Sequence, residues 1–233
     1  MNNVLALGAS FGLALLWLRI NDFFAHRGWI SSGLSRKMIH IGTGPLFVLT
    51  WLLFSDAPSA RWLAALVPFA ITAQFALVGL GIMRDPQAVK AMSRTGNRQE
   101  ILRGPLYYGI AFVALTLLFW KDSPIGIVAL MMLCGGDGLA EVIGSRFGRA
   151  KLPWSRNKSW AGTLAMFFGS LLLSLLILAA YLAAGVFPGG LADYLLPLAV
   201  IAFAATLVET IPLDDLDNLT VPLVAVILGY IFF

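Results

Sequence analysis

Cysteine, histidine and charged residues are all scarce in this sequence. There is one cysteine and there are two histidines among 233 residues, and charged residues make up only 12%. The single cysteine, Cys134, excludes a disulfide within the chain and any site with several cysteine ligands. We expect it to be a small buried hydrophobic residue. A soluble domain carries about twice this charge fraction. The GxxxxGK[ST] spacing of a P-loop is also absent.

Long apolar runs are what the chain has in abundance. Hydrophobic residues make up 59% of it, and a membrane span needs about 20 mostly apolar residues. Because lipid cannot satisfy free backbone groups, these runs predict an all-α, polytopic integral membrane bundle of about seven or eight transmembrane helices. We expect one membrane domain, residues 1–233, in which the fourth and last runs are short. The runs are Val4–Ile20, Ile39–Phe54, Trp62–Met83, Leu106–Trp120, Ile125–Ile143, Thr163–Ala184, Leu191–Ile211 and Val221–Phe233.

Basic residues are placed unevenly between the loops. All 16 except Arg61 and Lys121 lie at the end of the first run or follow the first, third or fifth run. The positive-inside rule puts those loops in the cytoplasm and both chain ends outside. No Lys or Arg precedes Val4, which favours a retained first helix over a cleaved signal. We expect a bacterial inner membrane with a cytoplasmic-facing active site; a plastid or reticulum protein lacking its leader is the alternative. The net charge of +4 reflects this topology, and we expect no nucleic-acid partner.

Two acids and three glycines interrupt the fifth apolar run. Asp137 and Glu141 are four residues apart and therefore share a helical face. A charge at membrane depth costs at least a few kcal/mol, so it is usually retained for function. The pair can hold a divalent cation, or one acid can act as a base toward a hydroxyl. A polar helix-packing pair and an ion-coupling site remain alternatives.

A basic cluster with a histidine opens the second run. Arg36 and His40 share a helical face, with Lys37 beside them. Gly42 and Gly44 would let this helix pack closely against another. A basic helix end with an interfacial histidine explains the cluster equally well.

A third cluster, Gly144–Thr163, is rich in groups that bind phosphate. Arginine and lysine bind phosphate oxygens, and exposed amides at a helix start favour anions. Ser159 and Gly162 lie where the sixth run begins. Positive-inside anchoring explains the charges of this segment but not the composition of Lys158–Gly162.

The segment Glu209–Pro222 is acidic on a side that is otherwise basic. Magnesium usually binds through one or two carboxylates together with substrate phosphates. Glu209 lies one to two helical turns deeper and is expected to orient the loop; a solvated acidic loop is the alternative. The candidate ligands are Asp214, Asp215, Asp217 and Asn218.

Four ordered segments resemble those of the polyprenol kinase family, which includes phytol, farnesol and dolichol kinases and CTP-dependent diacylglycerol kinases. The likeness runs from about Ser35 to the C-terminus, and the phytol and farnesol branch is the most similar. The first apolar run carries no motif of the family. The segments are Arg36–Gly42, Gly136–Ala140, Lys158–Gly162 and Asp215–Pro222.

The resemblance implies an integral membrane kinase that transfers the γ-phosphate of a nucleoside triphosphate, typically CTP, to a lipid alcohol such as phytol, farnesol or a polyprenol. The isoprenoid tail would lie in a groove between helices. Expected partners are the nucleotide, the alcohol and membrane lipids, with Mg²⁺ as cofactor. A cytidylyltransferase that forms a CDP-lipid and an ion-coupled secondary transporter remain alternatives.

The roles expected from this resemblance fall into three sets. The catalytic set is Asp137, Lys158 and His40. The nucleotide-binding set is Lys37, Arg156, Lys158, Ser159 and Gly162. The metal-binding set is Asp137, Asp215, Asp217 and Asn218.

Overall fold

A computed structural model describes residues 2–93, 95–212 and 215–233. Asp214, one of the expected metal ligands, lies outside these ranges. The described chain is almost wholly helical, with a two-stranded antiparallel hairpin formed by β1 (Lys151–Leu152) and β2 (Ser155–Ser159). The α-helices are α1 (Asn3–His26), α2 (Ser32–Thr50), α3 (Ala60–Leu80), α4 (Pro86–Met92), α5 (Gly104–Leu118), α6 (Pro124–Met131), α7 (Gly138–Phe147), α8 (Trp160–Ala183), α9 (Leu191–Glu209) and α10 (Asp217–Phe232).

The predicted membrane bundle is confirmed. Each of the eight apolar runs contains a helix, but six helical stretches in the described chain are long and apolar enough to cross a membrane. The fourth run is among them because the 3₁₀ turn Arg98–Leu102 lengthens it at its start. Helix α10 is shorter than these six helical stretches. Helix α2 is not among the six because its first turns carry the polar cluster around His40. The six are Asn3–His26, Ala60–Leu80, Arg98–Leu118, Pro124–Phe147, Trp160–Ala183 and Leu191–Glu209.

Burial separates the lipid-facing helices from the central one. Along α8, large apolar side chains stand exposed at every fourth position, which puts them on one helical face. Such a stripe fits a lipid environment better than water. By contrast, every residue of Ile125–Met131 in α6 is buried, so α6 forms the centre of the bundle. The exposed stripe consists of Leu164, Phe168, Leu172 and Leu176.

The central span is not a uniform α-helix. Between α6 and α7 the backbone forms a π-helix, Met132–Asp137. This departs from the regular helix expected from the apolar run. π-helical turns are rare and often lie at functional sites, because the wider turn re-aims the side chains that follow it. Here the turn ends at Asp137, directly before α7 packs against α2 and α8.

The loops fall into two groups at opposite ends of the bundle. The end that carries the loops after α1, α3, α7 and α9 is called the basic face below. Both described chain ends lie at the opposite end: Asn3 accepts a hydrogen bond from Ser55 N–H, and Phe233 packs against Tyr194 near the start of α9. The loop between α3 and α5, on the basic face, contains the short helix α4.

Close approach between α2 and the π-helix depends on Gly44. A Cβ atom at this position would overlap Cys134 Sγ and lie 2.9 Å from Cys134 Cβ, and Cys134 is fully buried. Gly44→Ala is therefore expected to lower the unfolding free energy by about 1–3 kcal/mol, through overpacking. Thermal unfolding in detergent measures this. The matched control is Gly8→Ala in α1, where no atom lies within 4 Å. Equal melting temperatures for the two variants would contradict the packing account.

Candidate active site

A cavity of about 1420 Å³ opens at the basic face of the bundle. Its polar part lies where α2, α7, the hairpin, the start of α8 and the start of α10 meet. Its apolar part extends between α1, α2 and α3. Of the predicted site residues that the structure describes, all except Arg156 line it. Four clusters that are distant in sequence therefore share one space.

One wall of the polar part is formed by α2 and α7. Lys37 pairs with Glu141, and Arg36 Nη2 lies 3.4 Å from the same carboxylate. One turn further along, His40 Nε2 lies 3.3 Å from Asp137 Oδ2. Lys37 and His40 are three residues apart, and Asp137 and Glu141 are four residues apart, so each set lies on one helical face. The two pairs therefore align along the contact between α2 and α7. Glu141 is thus paired with two cations, and Asp137 lies against the His40 ring.

Tyr108 from α5 supports His40 from behind. Its hydroxyl donates to the His40 carbonyl oxygen (2.9 Å) and lies 3.1 Å from Cys134 Sγ. The two rings are stacked at a tilt, with centroids 4.3 Å apart. No feature of the sequence around Tyr108 indicated this role, since it stands in an ordinary apolar run. Cys134 is fully buried, as expected for a small hydrophobic residue.

Lys158 forms the centre of the opposite wall. It sits near the end of β2, pairs with Glu209 at the end of α9, and lies 3.7 Å from Asp217 Oδ2 at the start of α10. The Glu209 side chain is only 3% exposed. Burial by itself would lower the pKa of the Lys158 ammonium, but Glu209, and then Asp217 and Asp137, outweigh it and raise the pKa above its usual value. Lys158 thus stays charged at neutral pH.

The acidic loop reaches the cavity through the start of α10. Asn218 Nδ2 donates to the Asp215 carbonyl oxygen (3.2 Å), and Asn218 N–H donates to Asp217 Oδ1 (3.0 Å). Asp215 has a positive φ of 59°, which is uncommon outside glycine. The Asn218 Oδ1 atom is buried and has no hydrogen-bond partner. An orphaned amide oxygen beside carboxylates is a donor set that suits a hard cation such as magnesium.

The described residues do not form a complete metal cage by themselves. No group of three or more His, Cys, Asp or Glu side chains within the described ranges is arranged to hold a metal ion. A magnesium ion near Asp217 would therefore take its remaining ligands from phosphate and water, which is how magnesium is usually bound.

Ser159 and Gly162 have structural roles that sequence reasoning did not foresee. Ser159 is the N-cap of α8, and its Oγ accepts from Gly162 N–H at 3.2 Å. A Cβ at Gly162 would lie 3.0 Å from the Ala140 carbonyl oxygen and 3.4 Å from Gly144 Cα. Glycine at 162 is therefore needed for close packing of α8 on α7. The Ser159 hydroxyl hydrogen remains available to the cavity.

Arg156 does not join the other candidates. It is exposed on the hairpin and is not part of the cavity lining, so its expected contact with the nucleotide has no support in this arrangement. The reason is local: Arg156 follows the turn between β1 and β2, whereas Lys158 lies nearer the bundle, beside Ser159 at the start of α8. The hairpin itself was not predicted, because its strands are too short to show a two-residue alternation.

Curated relatives match almost the whole chain. "Probable phytol kinase, chloroplastic" of Triticum aestivum is 43% identical over 93% of this chain and 73% of its own length. "Phytol kinase 1, chloroplastic" of Arabidopsis thaliana is 37% identical over 99% of this chain and 75% of its own. "Farnesol kinase, chloroplastic" of the same plant is 37% identical over 100% and 76%. No family model and no solved structure matches.

These names correct the expected location. The relatives are chloroplast proteins of plants, which contradicts a bacterial inner membrane. That prediction was wrong because charge bias reports only which loops share a side, and not which membrane they belong to.

Proposed function

The chain belongs to the polyprenol kinase family, with the phytol and farnesol kinases among its relatives, and from that membership we propose that it phosphorylates an isoprenoid alcohol with CTP as donor. The observation that most supports this is the shape of the cavity. Asp137, His40 and Lys158 lie in its polar part, and an apolar slot leads away from them between helices. A charged donor and a hydrocarbon acceptor can meet only at such a junction.

The acceptor hydroxyl is activated at Asp137 in this proposal. Its oxygen attacks the γ-phosphorus, a new O–P bond forms, and the P–O bond to the bridging β–γ oxygen breaks. The hydroxyl proton passes to the Asp137 carboxylate, and the nucleoside diphosphate leaves. His40, held by Tyr108 and Asp137, orients the carboxylate for this transfer.

The triphosphate is bound by cations on both walls. Phosphoryl transfer depends mainly on positioning and on neutralising charge. Lys158 donates from the hairpin side, and Lys37 lies across the cavity on α2. The Ser159 hydroxyl adds a neutral donor at the start of α8. Each cation is held in place by a buried or half-buried carboxylate, which keeps it preorganised.

Magnesium fits beside the acidic loop. Asp217, Asn218 and Asp215 would hold it, with Asp137 within reach of the same space. When bound, it would neutralise phosphate charge. The selection of cytosine over other bases is proposed from family membership alone.

One assay tests the function. Purified protein in detergent is incubated with magnesium, an isoprenoid alcohol and each of four γ-labelled triphosphates. The expected result is label in the lipid, release of the nucleoside diphosphate, and highest turnover with CTP. Pyrophosphate release with cytidine incorporated in the lipid would instead indicate a cytidylyltransferase. If the protein were a transporter, it would show ion-coupled flux without nucleotide consumption after reconstitution in proteoliposomes.

A further inference from the structure

The apolar part of the cavity is a slot between α1, α2 and α3. Helices α1 and α2 run antiparallel, and three contacts fix how they align. Ser35 Oγ donates to the Asn21 carbonyl oxygen (3.3 Å), Trp17 lies against Gly42, and Ser10 Oγ donates to Thr50 Oγ1 (2.8 Å). The last contact is at the end of the slot away from the polar site.

One face of α2 lines the slot over its whole length. His40, Thr43, Phe47 and Thr50 follow each other at spacings of three and four residues, and all line the cavity. Ala14 and Leu18 of α1 and Val67 and Ile71 of α3 contribute the facing walls. Apart from the threonines, these side chains beyond His40 are apolar, so the slot suits hydrocarbon.

The far end of the slot is closed. Ser10 and Thr50 are 2% and 4% exposed, and their hydroxyls are bonded to each other. Beyond them, Ala6 and Trp51 are fully buried. From His40 to Thr50 is ten residues, which at 1.5 Å each gives a depth of about 15 Å. This is about half of the hydrocarbon thickness of a bilayer.

We propose that this slot holds the hydrocarbon chain of the acceptor and measures its length, with the Ser10–Thr50 pair as the floor. The inference rests on the proposed function, since the chain must enter with its hydroxyl at Asp137. About 15 Å corresponds to an extended farnesyl chain. Carbons between the hydroxyl and the floor contribute binding energy, and the closed floor leaves no room in the slot for carbons beyond it.

Ala14 is the position that tests the depth. By the α1–α2 alignment it faces Leu46, six residues from His40 and hence about 9 Å along the slot. A phenylalanine there would leave room for a geranyl chain and displace the last carbons of a longer one. Losing burial of three or four methylenes corresponds to about a 100-fold change in affinity. Ala14→Phe is therefore expected to raise the ratio of the farnesol KM to the geraniol KM by about 100-fold, measured in mixed micelles.

The matched control is Ala9→Phe, the same change at an exposed position of α1 outside the cavity lining. It is expected to leave the ratio of the two KM values unchanged. An Ala14→Phe ratio equal to that of Ala9→Phe would overturn the inference. Wild-type protein that phosphorylates none of the alcohols would instead refute the proposed function.

Photocrosslinking tests the same slot without any substitution. A farnesol analogue with a diazirine at its far end is bound to wild-type protein and irradiated, and labelled peptides are mapped by mass spectrometry. Label is expected near Ser10 on α1 and Thr50 on α2, and excess farnesol should compete for it. Label confined to the exposed stripe of α8 would show that the chain lies in bulk lipid, and would overturn the inference.

Discussion

Asp137→Asn is expected to reduce kinase turnover by about 10²–10⁴-fold, the usual contribution of a positioned general base. Asparagine has nearly the same shape and keeps an oxygen beside His40 Nε2, which lies 3.3 Å from Asp137 Oδ2. Its amide cannot take the hydroxyl proton. The fold should therefore survive while the chemical step slows. Turnover is measured with saturating nucleotide and alcohol, and thermal unfolding reports on the fold.

The matched control for this change is Asp56→Asn. Asp56 is in the loop after α2, at the end of the bundle away from the site, and its side chain is 97% exposed. This variant should keep wild-type turnover. If Asp137→Asn also kept it, Asp137 would be a packing residue and the assigned proton transfer would be refuted.

Lys158→Met is expected to lower both turnover and stability. Removing a preorganised donor to the transferred phosphate costs about 10²–10³-fold in turnover. The same change leaves the buried Glu209 carboxylate without its cation, and breaking a buried pair costs about 3–5 kcal/mol. Methionine keeps most of the apolar stem, so lost packing contributes little. The control is Lys90→Met, at an exposed position of α4 outside the cavity lining, which should lower neither turnover nor stability.

A double variant separates the two effects of Lys158. Adding Glu209→Gln removes the unpaired buried charge, so Lys158→Met/Glu209→Gln should recover most of the lost melting temperature. Turnover should remain low because the phosphate donor is still missing. Recovery of turnover together with stability would mean that Lys158 serves only to balance Glu209.

The convergence of the four polar clusters was predictable from sequence. A charge at membrane depth is costly, so Asp137 was expected to have polar neighbours. The alternation of basic loops placed all four clusters at the same end of the bundle. Helical periodicity then placed Asp137 and Glu141 on a common face. The contact of Lys158 with Asp217 follows the same expectation.

The partners within the site were not predictable. Lys37 and Lys158 were both expected at the nucleotide, and nothing in local sequence says that Glu141 and Glu209 hold them. Such pairs depend on how helices distant in sequence pack against each other, and that packing cannot be inferred from one sequence. The contact of Tyr108 with His40 and the exposed position of Arg156 were not predicted for the same reason. The π-helix was not predicted because no pattern of residue types in Met132–Asp137 distinguishes a π-helical turn from an α-helical one.

That wider turn makes the central span depend on its residue count. The π-helix takes up about one residue more than the same length of α-helix, and an α-helix advances about 100° per residue, so rewinding all six residues of Met132–Asp137 into regular α geometry would rotate everything after them by about that angle. Both acids would then swing off the α2 wall while α6 kept its place in the core. A one-residue deletion within Met132–Asp137 that restores regular α geometry should keep α7 aligned, whereas a one-residue insertion or deletion in α6 should not.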